Sequence, residues 1–262
     1  MKPFWIVPSR RGPVSWEMMR FPVSLPVSLV AIAALALCAG TRAQVAPAQT
    51  TQPQGSGNGA YISVDPLANV RYDNRFDLSV GAAYDHMKAG PTLLQGSNIG
   101  GLDLEGSYWF SKHWAVVGSG RYYLGTSGAG TNDPPDNKGA IKGPFVSEAF
   151  FTGGAEWLGP HNKHGAILAH AMFGGVYGNF QTDLRGNPPY VVDFYSDQFA
   201  PAAIIGGHFD LNRSPRWVFR ITPDAVMTHY YSISGPNAPK VTQFDVNFAI
   251  SAGIEYKFKK KR

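Results

Sequence analysis

Only one cysteine, Cys38, occurs in 262 residues, and it lies in an apolar N-terminal run. A chain that loses that run has neither a disulfide nor a reactive thiol. Charge is scarce as well: Asp, Glu, Lys and Arg make up 16% of the chain, against about 25% in ordinary soluble domains. With 44% apolar and 13% aromatic residues, a charge-driven disordered chain is excluded. Long hydrophobic stretches are missing too. Past residue 43 no uncharged apolar run reaches about 18 residues, the length a membrane-spanning helix needs, so helices do not hold this part of the chain in a bilayer. Phosphate-binding chemistry is absent as a motif: the stretch 125–130 (GTSGAG) is followed by no Gly-Lys-Ser/Thr and reads as loop.

The N-terminus supplies a compartment. Arg20 precedes the uncharged run 21–39, and Thr41-Arg42-Ala43 places small residues three and one before a cut, which predicts a secretory signal peptide over 1–43. A retained anchor is the alternative, disfavoured by Pro22 and Pro26 at the start of the run. Met18 and Met19 offer a later start, and Leu37 before Cys38 argues against a lipoprotein signal. Removing 1–43 takes away five basic residues and one acidic one, leaving eighteen basic and seventeen acidic. Four of the remaining positives are Lys259, Lys260, Lys261 and Arg262, a basic tail at 259–262. The overall basic balance is therefore no argument for nucleic acid, and none is expected as a partner.

Residues 44–73, rich in Gln, Pro, Ser and Gly at their start, read as a flexible lead-in. From 74 the pattern changes. Phe244, Val246, Phe248, Ile250, Ala252, Ile254, Tyr256 and Phe258 alternate with Gln243, Asp245, Asn247, Ser251, Glu255 and Lys257, a period of two over fifteen residues. Similar alternation runs over 76–85, 102–110, 114–124 and 149–157. Weaker strands follow at 166–178, apolar on both faces except for His170, at 199–211 and at 217–231. Short polar turns at 111–113, 160–163 and 212–215 alternate with long Gly/Pro/Asn/Asp/Ser-rich connections at 87–98, 125–144, 179–197 and 232–241. The tryptophans Trp109, Trp114, Trp157 and Trp217 border the short turns and, with Tyr256 and Phe258, form an aromatic girdle at one membrane interface.

These features predict an all-β fold over 74–258: an eight-stranded antiparallel up-and-down transmembrane β-barrel with short periplasmic turns and longer extracellular loops. Lipid cannot satisfy backbone N–H and C=O groups, and only a closed sheet leaves none unpaired. Four stretches resemble the OmpA-like family of eight-stranded outer-membrane β-barrels. They are Gly106-Ser-Tyr-Trp-Phe110 leading to Trp114, Gly153-Gly154, Gly206-Gly207-His208-Phe209-Asp210 with Arg220 after the turn, and Gly253 to Phe258. The resemblance implies an outer-membrane location and insertion by the barrel-assembly machinery. The basic tail after Phe258 departs from the family's usual terminal aromatic.

In so small a barrel the side chains just fill the lumen. Parity turns Asp77, Asp85, Asp103, Glu105, Arg121, Glu148, Glu156, His208, Asp210, Arg220, Asp224, Asp245, Glu255 and Lys257 inward, where they are expected to form an ion-pair network. Acids outnumber Arg and Lys there by ten to three, which leaves a narrow cation path as an alternative. No metal or cofactor is expected, because the spacing of His208, Asp210 and Asp224 fixes no ligand geometry. His229 beside Ser232 lacks the His-x-Ser spacing of lipid A-modifying barrels, so a non-enzymatic structural or surface-interaction role for the loops is expected. Expected partners are outer-membrane lipid and lipopolysaccharide, with the chain as a monomer. The remaining alternative is a soluble secreted barrel that holds a lipophilic ligand on an apolar inner face.

Overall fold

The computed structural model describes residues 65–93, 96–131 and 139–258. The expected signal peptide, the lead-in up to residue 64 and the basic tail lie outside the described residues. Eight strands form the wall: β1 (Phe76–Met87), β2 (Ser97–Trp109), β3 (Trp114–Thr126), β6 (Phe145–His161), β7 (Gly165–Asn179), β8 (Gln198–Asn212), β9 (Trp217–Ile233) and β10 (Lys240–Phe258). Each pairs antiparallel with its neighbours in the order β1-β2-β3-β6-β7-β8-β9-β10, and β10 returns to β1 to close the cylinder. Closure leaves no strand edge with unpaired backbone groups.

The wall is sheared. From Asp85 the pairing runs to Ala249, Asp224, Gly206, His170, Glu156, Ala115 and Trp109, and from there back to Arg75 on the first strand. One circuit therefore descends ten residues, from 85 to 75. A shear of that size in eight strands tilts them by about 40° and leaves room inside for side chains alone. Residues far apart in sequence meet across the lumen as a result. At Gly81 and Gly253, paired on β1 and β10, an added Cβ would press into the facing strand's backbone. This bare patch of wall borders the space in which Arg220 and Asp103 lie.

Three features differ from the sequence reading. The expected turn at 160–163 begins later, because β6 runs on to His161 through a register shift after Leu158. Pro160 falls in this irregular stretch, where the missing N–H costs no ladder bond. The loop 125–144 is not all irregular: β4 (Gly130–Thr131) and β5 (Ile141–Lys142) pair into a short arm. Finally, residues 65–73, read as the end of a flexible lead-in, are attached to the short-turn end. The Tyr72 hydroxyl donates to the Asn162 carbonyl at 3.2 Å and accepts from Asn212 Nδ2 at 2.7 Å. Lys257 Nζ sits 4.1 Å over the Tyr72 ring, and Lys163 pairs with Asp65 at 2.9 Å.

Candidate functional site

Alternation along each strand sends every second side chain inward, so the strands that carry charge at odd or even positions stack it in the lumen. All fourteen titratable residues assigned to the inner face by parity lie in the lumen and are buried. Near the short turns Arg220 is the hub. Its guanidinium clasps Asp210 with two bonds, Nε to Oδ1 at 2.8 Å and Nη2 to Oδ2 at 3.1 Å. It also reaches Glu255 at 2.7 Å and Glu105 at 3.3 Å. At this end Asp77 accepts from Trp109 Nε1 at 2.6 Å and from Asn74 Nδ2 at 3.1 Å, and Lys257 lies 3.4 Å from Asn212 Oδ1.

Further up, Arg121 contacts Asp224 at 2.5 Å, Asp103 at 3.2 Å and Glu105 at 3.8 Å. Ser251 donates to the other Asp103 oxygen at 2.9 Å. Between the two arginines lies a chain of imidazoles. His170 Nε2 is 2.9 Å from Asp224 Oδ1, and His170 Nδ1 is 3.1 Å from His208 Nε2. His208 Nε2 is in turn 3.0 Å from Glu105 Oε1 and 3.5 Å from Glu156 Oε1, while its Nδ1 meets the Thr222 hydroxyl at 2.8 Å. Ser107 holds the second Glu156 oxygen at 2.6 Å.

Toward the long loops the chemistry changes. Glu148 accepts from the Tyr230 hydroxyl at 2.6 Å and Asp245 from the Tyr195 hydroxyl at 2.5 Å. Both Asp85 oxygens are buried with no hydrogen-bond partner. Tyr195 comes from the loop 180–197, which folds into the mouth instead of standing away from it. Phe180, Leu184, Phe194 and Tyr195 are buried there, and the rings of Phe180, Tyr195 and Tyr230 pack at 5.2–5.8 Å. Asp197 pins the start of this loop by accepting from the Phe180 and Gln181 amides at 2.6 and 2.9 Å. The Tyr195 amide bonds to the Ala89 carbonyl at 3.0 Å. Burial and the adjacent Asp245 carboxylate push the Tyr195 hydroxyl well above its ordinary range, so it stays a donor.

His170, Tyr195 and Tyr230 belong to this interior although parity reading did not assign them to it, whereas Thr222 shares the inward face of Arg220 and Asp224 as the alternation of 217–231 predicts. His170 was visible as the lone polar residue of its strand, and Tyr230 shares its face with Thr228. No strand pattern covers Tyr195. Trp109 also departs from expectation. Its position is in phase with Asp103, Glu105 and Ser107, so its indole turns inward to Asp77 and closes the lumen instead of joining the girdle. Trp114, Trp157, Trp217 and Phe258 are exposed on the outer wall, with Trp114 paired to Trp157 and Trp217 to Tyr256.

The exterior inverts the usual protein surface. Leu78, Val80, Leu102, Leu104, Val116, Phe151, Phe173, Ile205, Val246 and Phe248 are all exposed on it. A second aromatic band, Tyr177, Phe199 and Phe244, faces out near the loops. Along β10 the two bands are twelve residues apart, from Phe244 to Tyr256. At ~3.3 Å per residue and a tilt near 40° that is about 30 Å of height, a bilayer's hydrocarbon thickness. The fold is that of an eight-stranded outer-membrane barrel.

No protein-family model matches the sequence, and no curated protein matches it. Among solved structures, this barrel is similar to the attachment invasion locus protein Ail of Yersinia pestis, at 16% identity over 71% of this chain and 99% of that one, with a TM-score of 0.39. It is similar to Neisserial surface protein A at 12% identity over 70% and 97%, TM-score 0.42. OprG of Pseudomonas aeruginosa gives 13% identity over 73% and 99%, TM-score 0.44. The fold assignment stands on the closed pairing ladder and the inverted surface of this chain.

Proposed function

We propose that this protein is a monomeric, non-enzymatic barrel of the Gram-negative outer membrane, its lumen filled by its own side chains, whose role is carried by the loops opposite the tryptophans. The observation that carries the reading is the inverted surface: among the described residues, large apolar side chains outside, ten carboxylates and three Lys or Arg inside. Charges survive out of water only when paired, and here the lumen is where partners exist. A carrier of lipophilic ligands would need the opposite arrangement. The outward-facing His229, paired in register with Phe244, has no carboxylate oriented on it among the described residues, which supports a non-catalytic wall. Lipopolysaccharide and outer-membrane lipid are the surroundings the belt fits, and the barrel-assembly machinery the route by which it arrives there.

The test is fractionation together with conductance. The expected product is Sarkosyl-insoluble outer-membrane material whose gel mobility changes on boiling and which gives no single-channel steps in planar bilayers. Recovery as soluble periplasmic protein overturns the location. Steady cation-selective conductance overturns the filled lumen and revives the path that the acid excess suggests.

A further inference from the structure

The inner network contains a cluster that ion pairing does not explain. His208 Nδ1 meets the Thr222 hydroxyl at 2.8 Å, whereas His170 Nε2 lies 2.9 Å from Asp224 Oδ1 without a hydrogen bond to it. With His208 Nδ1 donating to Thr222, its Nε2 turns a lone pair into the cluster, 3.1 Å from Nδ1 of His170. Beside them stand Glu105 Oε1 at 3.0 Å and Glu156 Oε1 at 3.5 Å from His208 Nε2. Glu156 is wholly buried, and this oxygen has no hydrogen-bond partner. Electron pairs crowded together in this way need something electropositive among them.

We propose that His208, Glu105 and Glu156, with His170 beside them, bind one divalent transition-metal ion of the zinc class inside the barrel. The ligand atoms of Glu105, Glu156 and His208 all lie within 4.8 Å of one another. Ligands of a tetrahedral ion at 2.0–2.1 Å are separated by about 3.3 Å, and the contacts around His208 Nε2, 3.0 to 3.5 Å, bracket that value. One or two imidazole nitrogens with two carboxylate oxygens is a donor set for borderline ions, not for calcium or magnesium. The surrounding bonds suit it: Thr222 on His208 and Ser107 on Glu156 orient these ligands as outer partners of metal sites do. Arg220 Nη1 lies 3.3 Å from Glu105 Oε1 and Arg121 Nη2 3.8 Å from Glu105 Oε2, and both guanidiniums are shared with other carboxylates, Arg220 with Asp210 and Glu255 and Arg121 with Asp103 and Asp224. A dication also reduces the lumen's excess of ten carboxylates over three Lys and Arg. The rival occupant is a single proton shared by the two histidines.

The experiment refolds the untagged full chain with Zn²⁺ or Co²⁺ and removes free ion before metal analysis. One retained equivalent per barrel is expected, weakened at least 100-fold by His208→Gln or Glu156→Gln, roughly 10-fold by Thr222→Val, and unaffected by Asp65→Asn at the far surface. Retention of no metal by barrels of normal heat-modifiable mobility overturns the proposal in favour of the proton. Full affinity in both ligand variants overturns the assignment of the site. Should those variants fail to fold, X-ray absorption on the unsubstituted Co²⁺ protein decides: a shell with imidazole scattering supports the site, and an all-oxygen shell overturns it.

Discussion

In the half of the lumen nearer the short turns, each arginine reaches three carboxylates: Arg220 holds Asp210, Glu255 and Glu105, and Arg121 holds Asp103, Asp224 and again Glu105. In the half nearer the loops, Glu148 and Asp245 have tyrosine hydroxyls and Asp85 has no hydrogen-bond partner. The first half is braced across the cylinder by delocalised charge on rigid forks, which fix strand against strand. The second is closed by a folded-in loop, and its hydroxyls can be lost one at a time without stranding a cation. One barrel thus combines a cross-linked floor with a lid that is only hydrogen-bonded.

The largest effect that breaks this comparison is expected at the floor. Arg220→Met strands Asp210 and Glu255 in the lumen and should cost about 3–5 kcal/mol or prevent folding, read by urea unfolding in lipid vesicles. An effect below about 1 kcal/mol would show that the floor is not braced by charge. In the lid, Tyr195→Phe removes one buried bond to a carboxylate and should cost about 1–3 kcal/mol. It should also let a protease cut within 180–197, while the boiled-to-unboiled mobility shift is kept. Asp85→Asn sharpens the contrast from the other side. Replacing an unpartnered buried carboxyl should leave stability unchanged or raise it by about 1 kcal/mol, and a loss above that would show that the carboxyl does have a partner. The smallest effect is at the surface. The Lys163 ammonium bonded to Asp65 holds its carboxyl below the usual range, so whatever this pair contributes is present above about pH 4 and disappears as pH falls. The pair is exposed, and Asp65→Asn should leave the unfolding midpoint unmoved at neutral pH.

Much of this was written in the alternation of the strands. A strand in hydrocarbon has to turn its charges away from lipid, so parity alone places Asp103 and Glu105, or Asp245 and Glu255, on the inner face. The short and long connections likewise tell one end from the other. Parity cannot say which inner residues meet, because that depends on the shear between strands. Arg220 and Glu105 are 115 residues apart and touch only because each strand is offset against the next. Trp109 shows a cue that misled: nearness to a turn suggested the girdle, whereas its phase with Ser107 determines its direction. Tyr195 was not legible, since no period governs a loop that turns inward.

The attachment of Tyr72 has a consequence for assembly. Its hydroxyl and ring are held by Asn212 at the end of β8 and Lys257 near the end of β10. The part of that grip made by Lys257 needs the last strand in place, although Tyr72 comes earlier in the chain than any strand. The segment before β1 is thus a clasp laid across the closed ring, complete only when the last strand is in place, and a probe on Tyr72 should report that completion.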